Sequence, residues 1–297
     1  MTTSELDHLE APTTARPRHQ AERPRLRWTR VLLHLFLLAG AVAMALPFAW
    51  MVLSSFKPLE EIFIQPPKLL PKVWHPENYR SALEAADFVR GFANSLYIAV
   101  IVVVVSVFTA AMAAYAFARI RFTGRGPLFM VFLATLMVPV QLTVIPLYVI
   151  LGRLNWIDTH LALIVPASLF NAFGVFLLRQ YVRGIPIELE EAAAIDGAGR
   201  ARIFLTIILP LLRTPMVALG IFTFLGQWNS FFYPLIFLNS DSKFTLPLVV
   251  NQFKGTYSSD WTGLMAAATL AAAPLLIVFI IAQRQIVEGI ALSGSKT

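Results

Sequence analysis

The chain has no cysteine, and long stretches of it have no charge at all. Without cysteine there is no disulfide framework, no thiolate nucleophile and no Cys-based metal site. The five histidines (His8, His19, His34, His75, His160) are scattered without ligand spacing, and His34, alone in an apolar run, reads as a packed or interfacial side chain. Charged residues make up 14% of the 297 positions, well below the roughly 25% of a soluble domain, which disfavours a water-soluble enzyme. No Gly-rich phosphate loop of the G-x-x-x-x-G-K-[ST] kind occurs, so this chain should not bind ATP itself.

What the chain does have is oil. Asp, Glu, Lys and Arg are missing from Val31–Phe56, Gly91–Ala118, Gly126–Gly152, Thr159–Leu178, Thr214–Ser240 and Trp261–Gln283. The mean hydropathy is +0.68. Each run is long enough to cross a bilayer core, which takes roughly 20 apolar residues. Hydrocarbon offers no partner to backbone N–H and C=O groups, so such runs are expected to be helices. The expectation is an all-α membrane protein with six transmembrane helices. The first run includes Ala43-Met44-Ala45, which resembles a signal-peptide cleavage site, but it continues through Trp50 and Leu53 and reads as a signal anchor. Residues 31–297 then form the transmembrane domain, and 1–30 a basic tail whose first 22 residues have the composition of a disordered segment.

With the N-terminus cytoplasmic, 16 of the 24 Lys and Arg fall on inside segments and 8 on outside ones. The positive-inside rule therefore places both termini in the cytoplasm. The net charge of +7 reads as topology, and a nucleic-acid partner is disfavoured because no stacking aromatics interleave with these arginines.

One inside segment, 183–213, is unlike the rest. Pro186 suits a first helical turn, and Glu188, Glu190 and Glu191 follow where carboxylates favour the helix dipole. Gly197 and Gly199 supply a stop. The helix so bounded has about 11 residues and is about 16 Å long, too short and too polar to cross a membrane. By pattern alone it is either an interfacial helix tucked under the bundle or a docking surface.

Glu191-Ala192-Ala193, then Gly197, then Ile207-Ile208-Leu209-Pro210 resembles, at every defining position, the EAA signature of ABC importer permeases. The resemblance implies the type I importer permease fold with a cytoplasmic coupling helix that docks on an ATPase subunit. Glu191 would then be the polar contact, Ala192 and Ala193 the close-fitting surface and Gly197 the turn, with Glu188 and Asp196 completing the coupling set. Ser55-Phe56-Lys57-Pro58, Pro66-Pro67-Lys68-Leu69-Leu70-Pro71, Glu77-Asn78-Tyr79, Ala114-Tyr115-Ala116-Phe117-Ala118-Arg119 and Trp228-Asn229-Ser230-Phe231, with Gln283-Arg284 and Gly289, narrow it to the carbohydrate-uptake group. The chain looks like the smaller permease subunit of maltose-type importers. Implied partners are a sister permease, two cytoplasmic ATPase subunits carrying ATP and Mg, an extracytoplasmic sugar-binding protein and membrane lipid, in the inner membrane of a prokaryote. The chain itself would hold no cofactor. The C-terminal stretch Gly289–Thr297 departs from the family's Gly-x-x-x-Gly-x-x-Lys-Gly ending.

Polar residues inside the runs are candidates for a sugar path: Gln141 and Thr143 between Pro139 and Pro146, Asn171, Gln227 and Asn229. The bland alternative is that these amides and hydroxyls bond helix to helix. The prolines predict a kink in the third helix toward a cavity. Trp228 and Tyr233 read either as sugar-stacking rings or as an interfacial belt. Leu246–Val250, in an outside loop, reads either as a contact for the binding protein or as a loop folded on its own bundle. Residues 57–90 read as a semi-rigid loop and a short surface helix near Asn78–Ala86. Two rival classes fail on residues. A proton- or sodium-coupled transporter needs an intramembrane charge, which no run contains. An enzyme needs a nucleophile, acid–base pair or metal cluster, and no His or Cys accompanies the carboxylates of 188–196. Within importers, the alternative cargo is a glycerol phosphate ester or a polyol.

Overall fold

The computed structural model describes residues 26–85, 87–255 and 260–294, with side chains described for 28–84, 87–255 and 260–283. The expected disordered tail and the side chains of the atypical C-terminus lie outside that range. Helix α1 covers Leu26–Ser54, and the chain divides into a unit ending at Ala49 and a second comprising Trp50–Thr297. Within the first unit α1 shows apolar side chains such as Phe36, Val42 and Met44 on its exposed surface, as suits a helix solvated by lipid.

The second unit contains α2 (Leu59–Ile62), α3 (Glu77–Ala85), α4 (Phe88–Arg119), α5 (Arg125–Ala134), α6 (Val140–Arg153), α7 (Leu161–Leu169) and α8 (Ala172–Gly184). It continues through α9 (Glu188–Ile195), α10 (Arg200–Ile203), a π-helical stretch Phe204–Ile208, α11 (Leu209–Leu211) and α12 (Arg213–Trp228). It ends with α13 (Phe232–Phe237), α14 (Leu246–Gln252) and α15 (Trp261–Gly294). No β-strand occurs among the described residues. Among the described residues four helices are long and apolar enough to cross a membrane, and the count reaches six when each of two bent pairs is taken as one span.

The kink expected in the third run is present at Pro139, as a full break in the helix. The third run turns by 104° between Met137 and Val140. Val138 is extended, with ψ 116°, because the ring of Pro139 excludes the helical conformation at the preceding residue. Pro146 lies inside α6 without breaking it. The fifth run is not one helix either: it stops at Trp228 and restarts as α13. Near Pro210, which has no N–H to give, the helix widens to the π form across Phe204–Ile208.

Helix α4, 32 residues and about 48 Å long, is the element against which α7, α8, α12 and α14 all pack. Ala99, Ala111 and Ala114 on it are fully buried, and such small residues let helix backbones approach closely. Gly174 serves the same end on α8, since a Cβ there would lie 2.8 Å from Leu219 Cδ2 of α12.

The connections that carry α2, α3 and α14 fold onto this bundle. Leu246, Leu248 and Val249 of α14 are buried, so the apolar centre of the 241–260 loop is packed on its own bundle. Asn94 Nδ2 donates to the carbonyls of Ser242 and Phe244 at 3.1 and 2.9 Å, and Leu246 N–H donates to Ser95 Oγ at 2.8 Å. The three N-terminal motifs form one knot. Fully buried Lys57 donates from Nζ to the Lys68 carbonyl at 2.5 Å and lies 4.2 Å from the Trp50 ring centroid. Asn78 Nδ2 donates to the carbonyls of Ser55 and Lys57, and Ser55 Oγ pairs with Tyr79 Oη at 2.6 Å.

Asp158, between α6 and α7, clamps that connection to the one after α13. Its carboxylate accepts from the N–H groups of Asn239 and Ser240, from Ser240 Oγ at 2.5 Å and from Lys243 Nζ at 2.9 Å. These donors, Ser240 Oγ first, hold the carboxyl well below the usual carboxylate range. A depressed carboxyl stabilises the fold above its unfolded pKa of about 4 and loses that contribution as pH falls toward the folded value. Asp158→Asn should therefore lower the melting temperature of the purified protein by several degrees at pH 7. The gap between the two proteins should shrink as pH falls below about 4. Equal melting temperatures at neutral pH would show that the clamp contributes nothing.

Candidate functional site

Helix α9 has 8 residues, about 12 Å, and is shorter than expected because Pro186 and Ile187 precede it. Glu188, Glu190 and Glu191 occupy its first turn. It ends in a Schellman motif: Gly197 has φ +80°, its N–H donates to the Ala194 carbonyl at 3.0 Å, and Ala198 N–H donates to the Ala193 carbonyl at 2.9 Å. Gly199, expected to share that stop, is instead extended, with φ −70° and ψ 162°, and begins α10.

The two faces of α9 differ. Glu188, Glu191, Ala192 and Asp196 are exposed with Gly197, and Ile195 is 87% exposed. Ala193, expected on the docking surface, is half-buried against the core cluster around α4 and α8. Glu190, absent from the expected site residues, is buried beside it. Helical periodicity explains the split, since at 100° per residue 190 and 193 share one face while 188, 191, 192 and 195 share the other. That period is the signal from which Glu190 was readable.

Glu190 faces Arg119, the last residue of α4, with Oε1 and Nε 2.7 Å apart and both side chains largely buried. The approach lies off the N–H direction, so neither atom has a directed hydrogen bond, and the contact is coulombic. Tyr115 Oη donates to Glu190 Oε2 at 3.2 Å. Arg119 Nη2 donates to the carbonyl of Val182 at 2.9 Å and to that of Ile185, the stretch that leads from α8 into α9. One guanidinium therefore holds both the entry to α9 and its first turn.

The second feature is a cleft of about 820 Å³ bounded by α4 to α8, α12 and α13. It brings together three of the five expected pathway residues, Thr143, Asn171 and Gln227, but not Gln141 or Asn229. Asn229 Nδ2 bonds to the Leu225 carbonyl of its own helix at 2.9 Å. Asn171 is a wall residue with its amide engaged: Nδ2 donates to Ser106 Oγ, and Oδ1 accepts from Gly174 N–H at the start of α8. Thr143 Oγ1 donates to the Val140 carbonyl. Sequence reasoning missed Thr223, Ser230 and Thr245, which also line the cleft, since no local pattern brings 245 beside 227. No lining residue is charged. Trp228 points away from both expected roles. It is buried, with Nε1 donating to the Ala271 carbonyl at 3.0 Å and its ring against Phe92 and Phe224. Among the described residues no group of three His, Asp or Glu side chains is placed to hold a metal ion.

Bent apolar helices, the short acidic helix α9 and a cleft with no charged lining residue suit the movement of a solute. Residues 106–291 match the family described as the binding-protein-dependent transport system inner membrane component. The chain belongs to that family. This permease is 37% identical over 279 residues to the probable ABC transporter permease YurM of Bacillus subtilis, with 92% of this chain and 91% of that one covered. It is 33% identical to the arabinooligosaccharide transport system permease AraQ of Halalkalibacterium halodurans, covering 92% and 98%. A solved bacterial ABC transporter that imports alginate contains a chain of the same fold, with a TM-score of 0.77 at 22% identity, covering 88% of this chain and 98% of that one. The permease is thus a multi-pass inner-membrane transport component with the type I ABC importer fold, and family members of this kind are not enzymes.

Removing one partner of a buried pair leaves a charge without compensation, at about 3–5 kcal/mol. Arg119→Ala and Glu190→Ala should each speed hydrogen exchange across 185–198, and the double variant should be no worse than either single one. Unchanged exchange in the single variants would show that the pair does not hold α9.

Proposed function

We propose that this permease imports a neutral oligosaccharide, powered by ATP hydrolysis on two cytoplasmic ATPase subunits that dock on α9. A sister permease completes the pathway, and an extracytoplasmic sugar-binding protein delivers the cargo. The observation that carries the coupling role is the arrangement of α9. Its exposed face presents Glu188, Glu191, Ala192, Ile195 and Asp196, while the opposite face is tied to α4 through Glu190 and Arg119. A push on that exposed face reaches the membrane through α4, the helix on which α7, α8, α12 and α14 pack. Positive-inside topology, with both termini cytoplasmic, supports α9 on the ATPase side.

Two things support the sugar. Relatives are described by name as permeases for arabinooligosaccharides and for diacetylchitobiose. The cleft offers hydroxyls, an amide and aromatic rings but no cation. A glycerol phosphate ester would bring a negative charge there with nothing to pair it, and unpaired burial of charge is costly. A polyol shares the hydroxyl chemistry and is the second reading.

Glu191→Lys and Gly197→Pro should leave the protein inserted in the membrane while reducing ATPase co-purification or sugar-stimulated ATP hydrolysis at least tenfold. The proline variant acts on geometry, because a φ fixed near −65° cannot adopt the +80° of the turn. Normal ATPase association and transport in both would remove α9 from the coupling role. A panel of arabinotriose, diacetylchitobiose, maltotriose, glycerol 3-phosphate and a polyol, tested for ATPase stimulation with the binding protein present, separates the two cargo readings.

A further inference from the structure

We infer that the cleft is a sugar-binding site carried by this subunit itself, with Gln227, Ser230, Tyr233 and Thr245 as its polar contacts. The inference rests on the importer reading above and goes further, since that reading needs only a path and leaves open which subunit holds the cargo.

Hydrogen-bond satisfaction singles out Thr245. It is 5% exposed, and its Oγ1 is buried with no partner. It occupies the N-cap position of α14, where a threonine hydroxyl ordinarily accepts a helix N–H, yet it makes no such bond. Buried hydroxyls nearly always find partners, and an exception asks for a reason. Thr245 lines the cleft, so a hydroxyl-bearing occupant is that reason. Gln227 and Ser230 are half-buried on the same cleft, and no hydrogen bond engages the amide of one or the hydroxyl of the other. Tyr233 adds a ring stacked on Phe237 at 5.6 Å and 22°, with a free phenolic oxygen. Thr143, Asn171 and Thr223 line the same space but commit their polar groups within the bundle, so they form wall.

Two unengaged hydroxyls, one carboxamide and a tyrosine match the groups of a neutral sugar, whose hydroxyls both donate and accept and whose ring faces are apolar enough to lie on an aromatic ring. The volume of about 820 Å³ lies in the range of pockets that hold organic ligands. The remaining walls, such as Leu147, Pro166 and Phe170, are apolar. Few polar contacts suit a transport step, where cargo must be held and then released.

The absence of cysteine from the chain makes a direct test available. A Cβ at Gly226, on the cleft wall, meets nothing within 4 Å, so Gly226→Cys places this subunit's single thiol in open space. In the assembled importer with its binding protein, maleimide labelling of that thiol is followed with arabinotriose, diacetylchitobiose and maltotriose. The sugar that the importer transports should slow labelling of Gly226→Cys at least fivefold. It should not slow labelling of Val217→Cys, which lies on α12 outside the cleft. Thr245→Val or Gln227→Ala in the Gly226→Cys background should require at least fivefold more sugar for the same protection, and Thr245→Ser should restore it. A transported sugar that leaves Gly226→Cys labelling unchanged would overturn the inference while the importer reading stands. If none of the three sugars is transported and glycerol 3-phosphate is, the sugar reading and the inference fall together.

Discussion

The guanidinium of Arg119 is the interaction on which the candidate coupling machinery depends. It ends α4, the helix on which α7, α8, α12 and α14 pack, and it reaches the carbonyls of Val182 and Ile185 and the carboxylate of Glu190. A planar cation with several donors in a fixed fork suits that task, since it can engage two carbonyls and a carboxylate at once. Without a partner of this kind the short helix α9 would have little to fix its angle, because eight residues of helix are not stable alone. Its C-terminus is fixed separately by the left-handed turn at Gly197.

The same arrangement explains why motifs far apart in the chain occur together. Tyr115 and Arg119 belong to Ala114–Arg119, and Glu190 adjoins the EAA signature, yet all three side chains meet at one point. At the other end, Ser55 and Lys57, Lys68, and Asn78 and Tyr79 come from three separate motifs and form one hydrogen-bonded knot. A buried lysine ammonium is tolerated there because a carbonyl and the face of Trp50 replace its water. Each motif supplies one side of a contact that another motif completes.

The cleft shows the division between packing and reserve. Polar groups that close helix joints, such as Asn171 capping α8, are satisfied where they stand. The buried hydroxyl of Thr245 is not. Two breaks border this space: Val138-Pro139 turns the third run by 104°, and the fifth run stops at Trp228, whose ring is anchored on the Ala271 carbonyl.

Local chemistry and one-dimensional pattern were enough for the membrane class, for the acidic first turn of α9 and for its stop at Gly197. Uncharged runs dictate helices across a bilayer, because hydrocarbon leaves the backbone no partner outside a helix. Glycine at 197 marks a helix stop, because its φ is free. The acidic start of 188–191 marks a helix N-terminus, because carboxylates favour that end of the dipole. The packing of helix on helix, which no local pattern encodes, turned Glu190 and Ala193 inward, left Gln141 and Asn229 off the cleft and brought Thr245 onto it. It also folded Leu246–Val250 back on the bundle. Those outcomes depend on which helix lies beside which, and the meeting of residues 119 and 190, or of 227 and 245, is made in space by a fold whose strongest local signal, hydrophobicity, is the same in every span.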